Sequence, residues 1–454
     1  MDIRGVFLTL IFALCSAVPV NTPHVLASAD SDIKCGTPDV LELLGKRGKI
    51  AGFRMDNLAC SVLSAQKHFR VHYDTTGYHA PVLTDSDRNT IPDYIDSTLI
   101  YLEHAWDFQV NRLRFHPPKS DGGAGGGDEI DVYVKNFGSG GYAVTYPDRI
   151  ENGAASGYMV IDNDYRESQY ATKGYGALRV TTAHEFFHVI QFGYTYNMSL
   201  IWWMEQSAVW MEDRIWDDVN DYLAYLKDFF YYSKSYPIDS NDGNYKYGAV
   251  LWPMYLTRKF GDGVIRAAWE TLASAAHNRI TNFDEVIPGG LNAALNEFGV
   301  WNYFTRERAP DGQFYPDGRL FQYVMNMDCS AAANPARDSL LTRSFTSNYA
   351  ELLFLGGWNA KDGLRVQVNP ENGRTHENSL IFYNTPSDIS IRRLAQPDNL
   401  IPLEKSWSRA ILVTTCVNAV DPDGQFHFRA DWAPLTGVGN SPLSAFSCHG
   451  AFPN

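Results

Sequence analysis

The stretch TTAHEFFHVIQF, residues 181–192, followed by WWMEQSAVWMED, residues 202–213, decides how this chain is read. Apolar residues recur at helical spacing in both. On a helix His184 and His188 leave one face about one turn apart, so two imidazole nitrogens are presented together. Glu185 sits one step round, where a carboxylate reaches the open side of a metal held by the histidines and can take a proton from bound water. Two histidines merely satisfied within a core are the rival reading, since three fixed letters also occur by chance.

A catalytic zinc takes three protein ligands and keeps one exchangeable position. The metzincin solution, with Gly three and His six residues beyond the second histidine, is excluded because Gln191 and Tyr194 stand there. The other solution is a carboxylate on the following helix. Glu205 lies among Trp202, Trp203, Met204, Ala208, Val209 and Trp210, where an unpaired carboxylate is costly to bury and coordination removes the cost. Glu212, near the same face, is either the ligand in its place or the acceptor for the outer nitrogen of a ligating histidine. Asp213 could serve as that acceptor too.

Outward from this pair the texture changes twice. Upstream, HFRVHY (68–73), IDVYV (130–134) and GYMVID (157–162) read as strands and DYIDSTLIYLEHAWDFQV (93–110) as a helix, an α/β opening. GYMVID is either an exposed edge that pairs an extended substrate or an interior strand. The glycine-rich run 122–127 lacks a Gly-Lys-Ser/Thr ending and reads as a surface loop. Helical spacing dominates from about Gly176 to Ala309. After about Asp338 short alternating runs such as YAELLFL, LRVQV, SLIFY and FHFRADW predict an antiparallel β-sandwich. The expected class is α+β.

HEFFHVIQ with WWMEQSAVWMED resembles the gluzincin (peptidase MA-like) zinc peptidases, and is most similar to a group of secreted bacterial metalloproteases. DSDRNTIPDY at Asp85, YGAVLWPMYL at Tyr247 and WNYFTRER at Trp301 carry the likeness across roughly Cys35 to Arg308. It implies a zincin-like catalytic domain, a mixed sheet plus a helical half, with zinc on His184, His188 and Glu205 and Glu185 as general base. Tyr247 becomes, by analogy, the donor to the carbonyl oxygen's developing charge; a tyrosine packed in the core is the rival. Many relatives carry Gly after the third-ligand glutamate, where this chain has Gln206.

The resulting division is a signal peptide over 1–29, an α/β part over 30–165, a helical part with the zinc site over 166–337 and the sandwich over 338–454. Arg4, the apolar run 6–20 and Ala27-Ser28-Ala29 are the export signal. Secretion to the periplasm or medium is expected. No stretch is long and apolar enough to span a membrane. A net charge of −14, with no basic run, argues against a nucleic-acid partner. Of the cysteines, Cys35 with Cys60 and Cys416 with Cys448 are the nearest-neighbour disulfides.

A second ion site is suggested at Asp85, Asp87, Asn89, the Ile91 carbonyl, Asp93 and Asp96, the spacing of a calcium loop, although Thr90 replaces the usual glycine. A solvated acidic turn capping the next helix is the alternative. The function expected is hydrolysis of protein or peptide substrates. A binding or adhesion protein with a non-catalytic zinc, or a zinc hydrolase of other amides or esters, is the alternative.

Overall fold

The computed structural model describes residues 34–47, 58–138, 141–168, 170–274, 279–324, 329–331, 336–353, 362–371, 373–419 and 423–434. The signal-peptide reading and Cys448, the expected partner of Cys416, lie outside the described residues. The architecture is α+β, with a mixed sheet, a helical middle and two further sheets stacked as a sandwich.

The first sheet holds β1 (Cys60–Leu63), β2 (Phe69–Tyr73), β3 (Ile130–Val134), β4 (Ala143–Glu151) and β5 (Ala154–Ile161) in the order β1-β2-β3-β5-β4. β2, β3 and β5 run parallel, while β1 and β4 close the two sides antiparallel. Strands covered on both faces carry unbroken apolar runs. β3 and β5 are buried nearly throughout, with Asp131 and Ser156 the polar exceptions among their mostly apolar residues. GYMVID is therefore an interior strand and not the edge. The edge is β4, whose Pro147 and the register shift between Pro147 and Ile150 break its alternation.

Nine helices are described: α1 (Thr37–Arg47), α2 (Asp93–Trp106), α3 (Gly174–Tyr194), α4 (Ile201–Ile215), α5 (Leu226–Tyr232), α6 (Tyr245–Gly248), α7 (Leu251–Phe260), α8 (Gly263–Ser274) and α9 (Leu291–Tyr303). Among the described residues none is long and apolar enough to cross a membrane. α3 is apolar on every side, and a helix of that kind belongs inside. It lies under β5 and β4 with α2 and α4 against it, and all of Ala177 to Phe192 except Arg179 are buried. Behind α4, Trp203 meets Phe283 edge-on at 4.8 Å, and Trp210 donates to Thr257 at 3.2 Å. Such aromatic packing makes the helical part stiff around its two central helices.

The C-terminal sheets contain β6 (Cys329–Ala331), β7 (Ala336–Thr342), β8 (Ser347–Leu353), β9 (Asp362–Pro370), β10 (His376–Thr385), β11 (Asp388–Leu394), β12 (Asp398–Pro402), β13 (Arg409–Cys416) and β14 (Gly424–Pro434). One sheet orders them β11-β10-β13-β8-β6, the other β12-β9-β14-β7; all pair antiparallel except β6 with β8. Successive side chains of a strand point to opposite faces. Thus Leu380, Phe382 and Leu412 enter the core between the sheets, while Ile381, Tyr383, Ile411 and Val413 join the core of the helical part.

α9 is the seat for that second face. Its buried Asn296 donates to Glu377 O, Val413 O and Thr415 Oγ1 at 2.9–3.3 Å and accepts from Ser379 Oγ at 2.6 Å. Tyr349 donates to Gly299 O at 2.8 Å. A Cβ at Gly299 would stand 2.4 Å from Ser347 Oγ, so only glycine lets β8 come this close.

Cys35, Cys60 and Cys416 are free thiols. The expected Cys35–Cys60 disulfide is wrong. Nearness in sequence does not bring Cβ atoms within bonding reach; β1 takes Cys60 to one side of the sheet, while Cys35 bridges β4 at the other.

Candidate metal centre

α3 and α4 lie against each other, and their facing sides carry the polar groups that the apolar sequence around them makes conspicuous. His184 Nε2 and His188 Nε2 are 3.0 Å apart. Glu205 reaches both, with Oε2 3.3 Å from His184 and Oε1 3.3 Å from His188. All three are buried. Two donors bound at about 2.0 Å in a tetrahedron stand about 3.3 Å apart, so these spacings suit one small cation shared by the three side chains.

The outer nitrogens are held as well. His184 Nδ1 bonds Glu212 Oε1 at 2.7 Å, and His188 Nδ1 bonds Gln191 Oε1 at 2.7 Å. Gln191 is itself fixed by donating to Met204 O at 3.0 Å and Ser207 Oγ at 3.2 Å. Partners of this kind set the tautomer that leaves each Nε2 facing the centre. Glu212 thus stands in the outer position, not among the inward donors. Asp213 is turned elsewhere: burial, Asp217 and Asp317 push its carboxyl up to about 7.

Burial works against charge on both His184 and Glu205, yet the ion pairs outweigh it. Hydrogen bonds to Glu205 and Glu212 bring His184 up to about 10, and His188 with His184 takes Glu205 down to about 2. The pocket is organised around positive charge.

Glu185 faces the same centre from α3. Its Oε2 accepts from Thr145 Oγ1 of β4 at 2.5 Å and from Thr37 Oγ1 at 3.4 Å. Tyr247, on α6, donates to Cys35 O at 3.1 Å. Burial first, then Glu205 and Cys35, hold the Tyr247 phenol well above its usual range, so it stays a donor. The structure therefore gathers His184, Glu185, His188, Glu205 and Tyr247 in one place.

Four members of the neighbourhood were not read from sequence as such. Cys35 Sγ is 3.5 Å from His188 Nε2. Cys35, His184, Glu185 and His188 form a buried group whose ligand atoms lie within 4.8 Å of one another, able to hold a metal ion. Lys34 Nζ is buried against Glu212 at 2.9 Å and against Asp221. Thr145 belongs to a strand the sequence texture concealed. For Gln191 a signal existed: three residues after His188 on the same helical face, it is a polar residue in an apolar run.

The Asp85–Asp96 loop is different. Asp85 accepts from the backbone N–H of Asn89 at 3.1 Å and of Thr90 at 2.9 Å. Asp87 also accepts from Asn89 N, and Asp93 accepts from Ser86 N and Oγ at 2.9 and 2.7 Å. Asn89 Nδ2 donates to Asp87 and Asp96. Among the described residues the groups of acidic, His and Cys donors within 4.8 Å are the centre above and Asp162, Asp164, Glu167; the loop carboxylates do not form one. Its oxygens tie the turn that leads into α2 to itself, accepting from amides of residues 86–91, and none of them caps the helix, whose N-cap is Pro92 with no side-chain bond.

No family model matches this chain, and no curated protein matches it at a significant level.

Proposed function

We propose that the chain is a secreted, zinc-dependent peptidase. The observation that carries this reading is the meeting of His184, His188 and Glu205 at 3.0–3.3 Å with Glu185 beside them. Two imidazoles and one carboxylate are a donor set for catalytic zinc, which leaves a position for solvent. Zinc bound there supplies an acidified water and a polarised carbonyl.

The protein's own groups do the rest. Glu185, oriented by Thr145, takes the water proton and passes it to the leaving amine. Tyr247 offers its phenol proton to the oxygen on which negative charge grows. Glu212 and Gln191 keep both imidazoles in the donor orientation. The β4 side of the sheet is an edge on which an extended peptide can lie, as added strands do; residues 34–37 occupy its start here. Nothing in this chemistry calls on the Asp85–Asp96 loop.

The test compares the parent with Glu185→Gln, each with and without Cys35→Ser because that sulfur stands so close to His188. Zinc content by mass spectrometry and cleavage of a mixed peptide library are measured. Equal zinc, with cleavage lower by on the order of 10²–10⁴-fold in the Gln variants, is the expected outcome for loss of a general base. Unchanged cleavage, or no retained zinc in any protein, would overturn the reading.

A further inference from the structure

Residues 34–37, at the start of α1, touch His188, Glu185, Thr145, Tyr247 and Glu212. Lys34 O accepts from Tyr142 N at 2.8 Å and Gly36 N donates to Ala143 O at 2.9 Å, so residues 34–36 lie along the edge of the sheet at β4. Cys35 pairs with Ala143 as a parallel bridge. Thr37 Oγ1 accepts from Thr145 N at 2.8 Å and lies 3.4 Å from Glu185 Oε2. Tyr247 bonds the Cys35 carbonyl. Lys34 anchors the near end in a buried pocket, paired with Glu212 and Asp221 and packed between the rings of Tyr142 and Tyr225.

Resting on the peptidase reading, we propose that Lys34–Thr37 is a built-in plug. It lies where a substrate strand would lie, and Cys35 Sγ takes the coordination position that the attacking water needs, so the chain holds its own site closed. A nitrogen at about 2.0 Å and a sulfur at about 2.3 Å from one tetrahedral ion are about 3.5 Å apart. Cys35 Sγ to His188 Nε2 is 3.5 Å. Coordination sends the thiol proton to solvent, as metal binding to cysteine does.

The segment joins the sheet at its edge through one bridge, although Cys35 and Leu41 of α1 also reach the main core. β4 keeps its full antiparallel ladder with β5 without it. Behind the plug, Val40 and Leu44 of α1 pack with Val144 in a small cluster apart from the main core. Gly36 makes the close approach feasible, since a Cβ there would stand 2.4 Å from Val144 Cγ2. A tethered competitor also acts at an effective concentration in the millimolar range, with no need for tight intrinsic binding.

The experiment loads the full chain with Co²⁺ in place of zinc and records the near-ultraviolet sulfur-to-cobalt charge-transfer band together with peptide cleavage. The parent is expected to show the band and slow cleavage. Cys35→Ser should lose the band, keep its cobalt and cleave about tenfold faster or more, a ratio equal to about 1.4 kcal/mol. Adding Glu185→Gln should abolish that gain. Gly36→Val keeps the sulfur but pushes the segment off Val144, and is the second arm if the serine variant does not fold. It should weaken the band, speed cleavage and make Cys35 react faster with an aromatic disulfide. No band in the parent, or a band with no gain in either variant, overturns the plug while leaving the peptidase reading intact if the parent cleaves. Loss of cobalt in Cys35→Ser without any gain in cleavage also overturns it, in favour of a closed structural site. Absence of cobalt binding in every protein sinks the peptidase reading first.

Discussion

Two parts of this molecule offer acidic side chains at spacings that suit an ion, and they use them in opposite ways. On α4 the carboxylates of Glu205 and Glu212 are buried and aimed at the imidazoles of α3. In the Asp85–Asp96 loop Asp87 is exposed, Asp85, Asp93 and Asp96 are half-buried, and Asp85 and Asp93 already accept from N–H groups of their own turn. A charge withdrawn from water must find a partner of opposite sign, whereas an exposed one is satisfied by solvent and local amides. Spacing alone did not separate the two regions. Burial did.

The contrast can be broken most sharply at Glu205. Glu205→Ala should lower zinc affinity by more than the about 100-fold seen for loss of an outer partner, because a direct ligand is removed. Competition with a chromophoric chelator reads this, and unchanged affinity would mean that Glu205 only balances charge. Gln191→Leu is the finer probe. It leaves all three donors in place but frees the His188 ring, and should weaken zinc by about 10–100-fold in the same assay. An affinity equal to the parent's would show that packing alone orients that imidazole.

The smallest effect is expected in the loop. Asp85→Ala removes the acceptor for two backbone amides and should cost about 0.5–2 kcal/mol, as loss of a capping side chain does. Zinc content should stay as in the parent, and added calcium should leave the melting temperature of both proteins where it was. A calcium-dependent rise in the parent that Asp85→Ala abolishes would place the loop with the metal centre after all.

Much of the helical part was legible because its sequence is unambiguous. An apolar run that contains His184, Glu185, His188 and then Glu205 and Glu212 has few ways to satisfy those groups except together. The strands GYMVID and IDVYV were legible as strands, but the position of β5 was settled only by its neighbours. β4 was hidden because AVTYPDRIE carries a proline and ends in charge, which spoils the alternation by which a strand is recognised. Cys35 was misread for another reason. Its partner in space lies 153 residues away, and chain proximity to Cys60 carries no information about that contact. Lys34 is the same case: a lone basic residue before a cysteine gives no sign that two buried carboxylates from α4 and the turn after it await it.

For anyone trimming or fusing this chain, the C-terminal sandwich cannot be handled as a detachable tail. Asn296 uses both ends of its carboxamide on strands β10 and β13, and Gly299 gives up its side chain so that β8 can seat. A fragment ending before the sandwich would keep an amide tailored to absent neighbours, and a graft of some other tail would need a redesigned face of α9 to receive it.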